Sequence, residues 1–211
     1  MSLSDSIETL IRRPRTLVPA LLLAGALLAA CGGPQAPVPE DHYYRLKVAA
    51  PKTSPAQPHF KGTLVVQRMV ADGVIAGRPI VYSEGGKELE VLEYHYHFWT
   101  EPPIMLLMDQ LVSYLRAANI AETVVTAEIR SDADYSVSGK IKRLEQVRGG
   151  DPRSIVELEL ALLKRPDDKV IFIRNYIEEV SAGGEDVASA VKAMNAALGR
   201  IYAKFAADIS K

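Results

Sequence analysis

The order of apolar and polar positions predicts a run of strands, a helix, three more strands and a closing helix. Tyr43-Tyr-Arg-Leu-Lys-Val48 is rich in aromatic and branched residues and reads as a short strand. The prolines between Pro51 and Pro58 interrupt it, and Thr63-Leu-Val-Val-Gln-Arg-Met-Val70 reads as a second strand. Asp72-Gly73 ends that strand with a dipeptide suited to a turn of positive φ. Pro79 to Tyr82 and Leu89 to Tyr96 form an expected hairpin, with Gly85-Gly86 as a primed turn between them. Thr100-Glu-Pro-Pro opens a helix, Thr100 capping free amides and the prolines occupying a first turn whose N–H groups lack partners. Ile104, Leu107, Met108, Leu111 and Leu115 recur at helical spacing, and Asn119 is a natural left-handed terminator.

A meander is expected next. Tyr135, Val137, Gly139 and Ile141 alternate with polar residues until Arg143-Leu144 shifts the phase, as a bulge does. After the turn at Gly149-Gly-Asp-Pro152, Val156, Leu158, Leu160 and Leu162 alternate with a wetter face holding Glu157 and Glu159. Arg165-Pro-Asp-Asp168 turns into Val170 to Ile177, and Gly183-Gly184 ends the sheet. Val187, Val191, Met194, Leu198, Ile201 and Phe205 then stripe a long C-terminal helix. Such a stripe is either a coiled-coil seam or, more commonly, a cover for the sheet. The expected class is α+β, an antiparallel or mixed sheet covered on one face by two helices.

The amino-terminal pattern is different. Arg12, Arg13 and Arg15 precede Leu17 to Ala30, which carries no charge. As helix that run spans about 21 Å, short of the roughly 30 Å hydrocarbon core, so it reads as a secretory signal peptide. It closes on Leu28-Ala29-Ala30-Cys31, which resembles the bacterial lipobox, and Cys31 is the only cysteine of the chain. Residues 1–30 are then a cleaved leader, 31–42 a lipidated N-terminus and Pro-rich tether, and 43–211 the folded domain. A single acyl chain holds a protein to a bilayer marginally, whereas the diacylglycerol and N-acyl chains implied for Cys31 hold it durably.

Composition adds exclusions. The formal net charge of −1 leaves no basic field for nucleic acid and no polybasic membrane patch. No second cysteine exists for a disulfide, despite the oxidising compartment that the leader implies. Phosphate-loop, nucleophile-elbow and His-Glu-x-x-His patterns are missing, so no catalytic residue and no enzyme activity are expected. The acid pairs Asp167-Asp168 and Glu178-Glu179 read as solvated edges. In Tyr94-His-Tyr-His-Phe-Trp99, His95 and His97 share a face of an ideal strand, but no third metal ligand lies nearby in sequence, since His42 and His59 fall in loop-like stretches. Neither a metal nor a dissociable cofactor is expected. Tyr94, Tyr96, Phe98 and Trp99 are either core under the following helix or, where exposed, anchors for a partner protein.

The lipobox, Tyr43-Tyr-Arg-Leu46, Leu64-Val-Val-Gln-Arg68, Arg78-Pro-Ile-Val-Tyr82 and Tyr94-His-Tyr-His-Phe-Trp-Thr-Glu-Pro-Pro103 occur in this order. In series they resemble the ABC-type transport auxiliary lipoproteins, the family that includes paraquat-inducible protein C. The resemblance implies a fold similar to the N-terminal domain of TolB and a non-catalytic, periplasm-facing lipoprotein. It also implies partners: an inner-membrane ABC permease and ATPase, and a mammalian-cell-entry (MCE) domain protein, in the movement of lipids or other hydrophobic compounds across the envelope. Gly32, where an aspartate would imply inner-membrane retention in some bacteria, implies the outer membrane instead. A periplasmic carrier of lipid or another hydrophobic ligand is the alternative, a lipid-anchored hydrolase a more distant one. Homo-oligomer formation is left open.

Overall fold

The computed structural model describes residues 38–129 and 132–211. The leader, Cys31 and the tether through residue 37 lie outside the described residues. Among the described residues, one nine-stranded mixed sheet, two α-helices and a short 3-10 helix over Gly73–Ala76 make up the domain.

β7 (Tyr135–Arg148) is the spine of the sheet. Along one edge it pairs antiparallel with β8 (Arg153–Lys164), which pairs antiparallel with β9 (Lys169–Ser181), giving the expected meander. The register slips at Lys142, between Ile141 and Arg143, where the alternation breaks in the sequence. Along its other edge β7 receives three parallel strands in succession: β2 (Phe60–Val66), β3 (Val70–Ala71) and β4 (Pro79–Glu84). The single strand expected over Thr63–Val70 is therefore two strands with a break.

β4 and β5 (Leu92–Trp99) form the expected antiparallel hairpin. The connection is longer than a primed two-residue turn, because β5 begins only at Leu92 and, of the two glycines, Gly86 alone has positive φ, +79°. β1 (His42–Tyr44) is shorter than the strand expected over Tyr43–Val48 and runs parallel to β5. β6 (Ala121–Thr126), parallel to β2, has no counterpart among the expected strands.

α1 (Pro103–Ala117) has Pro102, not Thr100, at its N-cap. The Pro102 carbonyl accepts from Met105 and Leu106, while the Thr100 amide instead donates to the Tyr44 carbonyl and extends the strand contact. Pro103 brings no N–H, so one of the free amides that a cap would satisfy does not exist. Asn119 ends the helix at φ +51°, as expected. α2 (Val187–Ile209) is capped by Asp186, whose carboxylate accepts from the Ser189 amide at 2.9 Å.

The helices cover one face of the sheet. Leu107, Leu111, Leu115, Leu198, Ile201 and Phe205 are fully buried in one cluster with Val156, Leu158, Leu160 and Leu162 of β8. The C-terminal stripe is thus sheet cover. Tyr202, also fully buried, donates to the Leu107 carbonyl at 3.0 Å and joins the two helices. Gly139 admits Met69 across β7, since a Cβ there would lie 2.3 Å from its sulfur.

Candidate docking surface

β1 follows the tether and pairs with β5 in the register His42–His97, Tyr43–Phe98 and Tyr44–Trp99. Their aromatic side chains divide into an exposed layer and a half-buried one. Tyr43 is 56% exposed, its ring 5.8 Å from that of Phe98. The Arg78 guanidinium lies 5.5 Å from the Tyr43 centroid and its Nε donates to the Trp99 carbonyl at 3.1 Å. Tyr96 is 40% exposed, with His95 edge-on beside it. Tyr43, the half-buried Phe98 and an arginine held by a backbone acceptor form a surface of the composition that protein partners grip, and the exposed Tyr96 lies two residues before Phe98 on the same strand.

Beneath this layer, His97 is stacked on His42 at 5.1 Å and its Nδ1 is 2.9 Å from the Tyr44 hydroxyl. Burial, then the neighbouring His42, pulls the His97 imidazole below its ordinary pKa. Tyr94 meets His97 edge-on and packs 4.4 Å from Tyr82, with Arg148 over both tyrosines. The Tyr94 hydroxyl donates to Gln146 Oε1 at 2.9 Å, and Gln146 Nε2 donates to the Glu185 carbonyl beside the start of α2. Burial pushes the Tyr94 phenol up to about 12, so it stays protonated and fixed in this network.

The four aromatic residues singled out from the sequence therefore separate. Trp99, 1% exposed, is core and offers no surface to a partner in the folded domain. Tyr94 is half-buried, whereas Tyr96 and part of Phe98 face outward. The cause is an irregularity in the β4–β5 ladder: Pro79 pairs Phe98 but Val81 pairs Glu93. The extra β5 residues shift the phase and bring Tyr94 and His97 together, edge-on at 5.2 Å. Tyr43 and Arg78 belong to the surface but were not candidates. The Tyr43-Tyr44 doublet beside the tether was the available signal.

No group of three or more His, Cys, Asp or Glu side chains capable of holding a metal occurs among the described residues. Three of the four paired acids are held in ion pairs: Asp168 with Arg165, Glu178 with Arg200 and Lys204, and Glu179 with Arg153. Two open cavities, about 450 Å³ beside Arg165 and Asp134 and about 510 Å³ beside Arg174 and Asp208, have charged linings unlike an enclosed lipid pocket. No helix among the described residues is long and apolar enough to cross a membrane.

The family model of the ABC-type transport auxiliary lipoprotein component matches residues 44–206. The chain belongs to this family. That match starts at Tyr44 in β1 and ends in the last turns of α2, so it takes in the whole sheet except the first residues of β1. A crystallised protein from Xanthomonas campestris is 22% identical, with a TM-score of 0.67 over 77% of this chain and 91% of that one. A second solved structure, of an uncharacterised protein, is 16% identical, with a TM-score of 0.64 over 81% of this chain and 99% of the other. At these identities the likeness is one of fold. Among curated proteins no sequence matches. The family places the chain as an auxiliary component of an ABC-type transport system at the cell envelope.

Proposed function

We propose that this protein is the membrane-anchored, non-catalytic subunit of an MCE-type ABC system that moves lipids or other hydrophobic compounds between the bacterial membranes. The observation that carries the reading is the family match over residues 44–206, downstream of the lipobox-like Leu28-Ala29-Ala30-Cys31. Acyl chains on Cys31 hold the domain at a membrane, the outer membrane by the Gly32 argument. The tether then limits where the domain acts. His42 opens β1, so at full extension the docking surface lies within roughly 40 Å of the lipidated residue. Tethering raises the local concentration of the partner, and Tyr43, Arg78, Tyr96 and Phe98 meet the MCE-domain protein beside its permease and ATPase.

The test uses the full chain expressed in its native envelope. Cys31→Ala is expected to move the protein from the membrane to the soluble fraction, and the mature wild type is expected to begin at an acylated Cys31 by mass spectrometry. An unmodified chain starting at Met1 contradicts the anchoring. A paired Tyr43→Ala and Phe98→Ala variant is expected to lose co-purification with the MCE-domain protein while keeping its wild-type unfolding midpoint. Undiminished co-purification contradicts this docking face.

A further inference from the structure

β1 has three residues, and β5 is its one strand partner among the described residues. So short an edge element opens at little cost, because few backbone bonds hold it. Tyr43 lies against Phe98 and Arg78, and its hydroxyl reaches Asp41 at 3.4 Å. His42 and Tyr44 instead meet His97, the direct cross-strand partner of His42. The two imidazoles are stacked with their planes 16° from parallel, His42 exposed and His97 half-buried. Around them stand Tyr94, edge-on to His97 with Arg148 over it, and Asp186, whose charge acts on Tyr44. Asp186 is committed to the α2 cap, where it accepts from the Ser189 amide and hydroxyl. Among the described residues no carboxylate compensates a charge on His97, and the neighbouring His42 opposes one. Beyond β1 the chain is fixed again. Leu46 is buried, the Lys47 amide donates to Asn195 Oδ1 at 2.6 Å, and the Val48 amide donates to Gln110 Oε1 at 2.8 Å. An opening of β1 therefore stops at Leu46 and leaves the rest of the domain folded.

We propose that β1 is an acid-operated latch: protonation of the stacked His42–His97 pair releases residues 42–45 from β5 and from the docking surface. Two imidazolium ions in this stack repel each other, with no carboxylate between them. The neutral His97 ring has one accepting nitrogen, and Nδ1 lies 2.9 Å from the Tyr44 hydroxyl. The imidazolium donates from both nitrogens and can no longer accept that hydroxyl's proton. Release takes Tyr43 away from Phe98 and Arg78. It also moves the point where the tether enters the fold from His42 to Leu46, which adds roughly 13 Å of reach at full extension. The opening itself is a property of this chain alone, whereas its consequence, loss of partner contact in acid, rests on the proposed function.

Hydrogen exchange read by mass spectrometry on the purified full chain in detergent tests the latch with no partner present, so a failure of the docking reading leaves the result untouched. After correction for intrinsic exchange, protection of segment 42–46 is expected to fall several-fold between pH 7.5 and 5.5. The ceiling is about tenfold per histidine, since pH 5.5 lies one unit below the ordinary value of 6.5. Segment 156–162 of β8 is expected to stay protected at both pH values. His97→Gln is expected to hold segment 42–46 equally protected at the two pH values. His42→Gln, altered at an exposed ring, is expected to lose less protection than the wild type. Equal protection of the wild-type segment at both pH values overturns the latch, and so does a loss undiminished in both variants. Loss of protection in β8 together with β1 overturns it too, because the domain is then unfolding as a whole.

Discussion

Trp99 and Phe98 are adjacent in sequence and opposite in role. Trp99 is sealed in the hydrophobic core, and replacing it by alanine removes its buried contacts and leaves a cavity. Trp99→Ala is expected to lose about 3–5 kcal/mol in urea unfolding, the range for large aromatic truncations in cores. Any loss of partner binding in that variant is then a consequence of unfolding. At Gly139, a methyl group meets the Met69 sulfur and Leu160 Cδ2, and both side chains are buried. Gly139→Ala is expected to destabilise by about 1–3 kcal/mol through overpacking. Met69→Ala, itself a costly core truncation, is expected to cost less in the Gly139→Ala background than in the wild type in the same denaturant series, because the sulfur is the nearest obstacle. Additive costs of the two substitutions would place the obstacle elsewhere.

Among the elements, the β1–β5 pair carries a histidine whose environment makes its stability respond to acid near neutrality. His97 has its pKa lowered by burial and by His42, so the folded state binds fewer protons than the unfolded chain. Its contribution is intact above the ordinary value of 6.5 and is lost as pH falls below it. The wild type is expected to lose more stability between pH 7.5 and 5.5 than His97→Gln, read from urea midpoints at the two pH values. An equal loss in both contradicts the assignment. The elements also divide by how visible they were in the sequence. β8, with Leu158, Leu160 and Leu162 on one buried face, and α2, with its stripe from Val187 to Phe205, are sided structures, and period alone reveals them. β6 offers only Val124-Val125, both buried, in Ala121–Thr126, and its parallel partner β2 is remote in the chain. No alternation marks such a strand. Within β5, alternation puts Tyr94 with Tyr96 and His95 with His97, but across the irregular ladder with β4 it is Tyr94 that packs against His97. That irregularity depends on where β4 and β1 dock, which local sequence does not encode.

At the scale of the whole molecule, the residues divide their tasks by position. The helices and β8 supply the core, β7 joins both halves of the sheet, and the first strand after the tether brings Tyr43 beside Phe98. On the proposed reading, the described domain presents the Tyr43–Phe98 surface on the strand that follows residue 41, and attachment and docking are the two tasks of an auxiliary subunit. That surface is therefore where the proposal puts contact with the transporter. The most direct measurement is photo-crosslinking in native membranes from a benzophenone amino acid placed at Tyr96. The expected result is a covalent adduct with the MCE-domain protein, weakened by Phe98→Ala and by Arg78→Ala. An adduct formed from position 89 and none from position 96 would contradict the account.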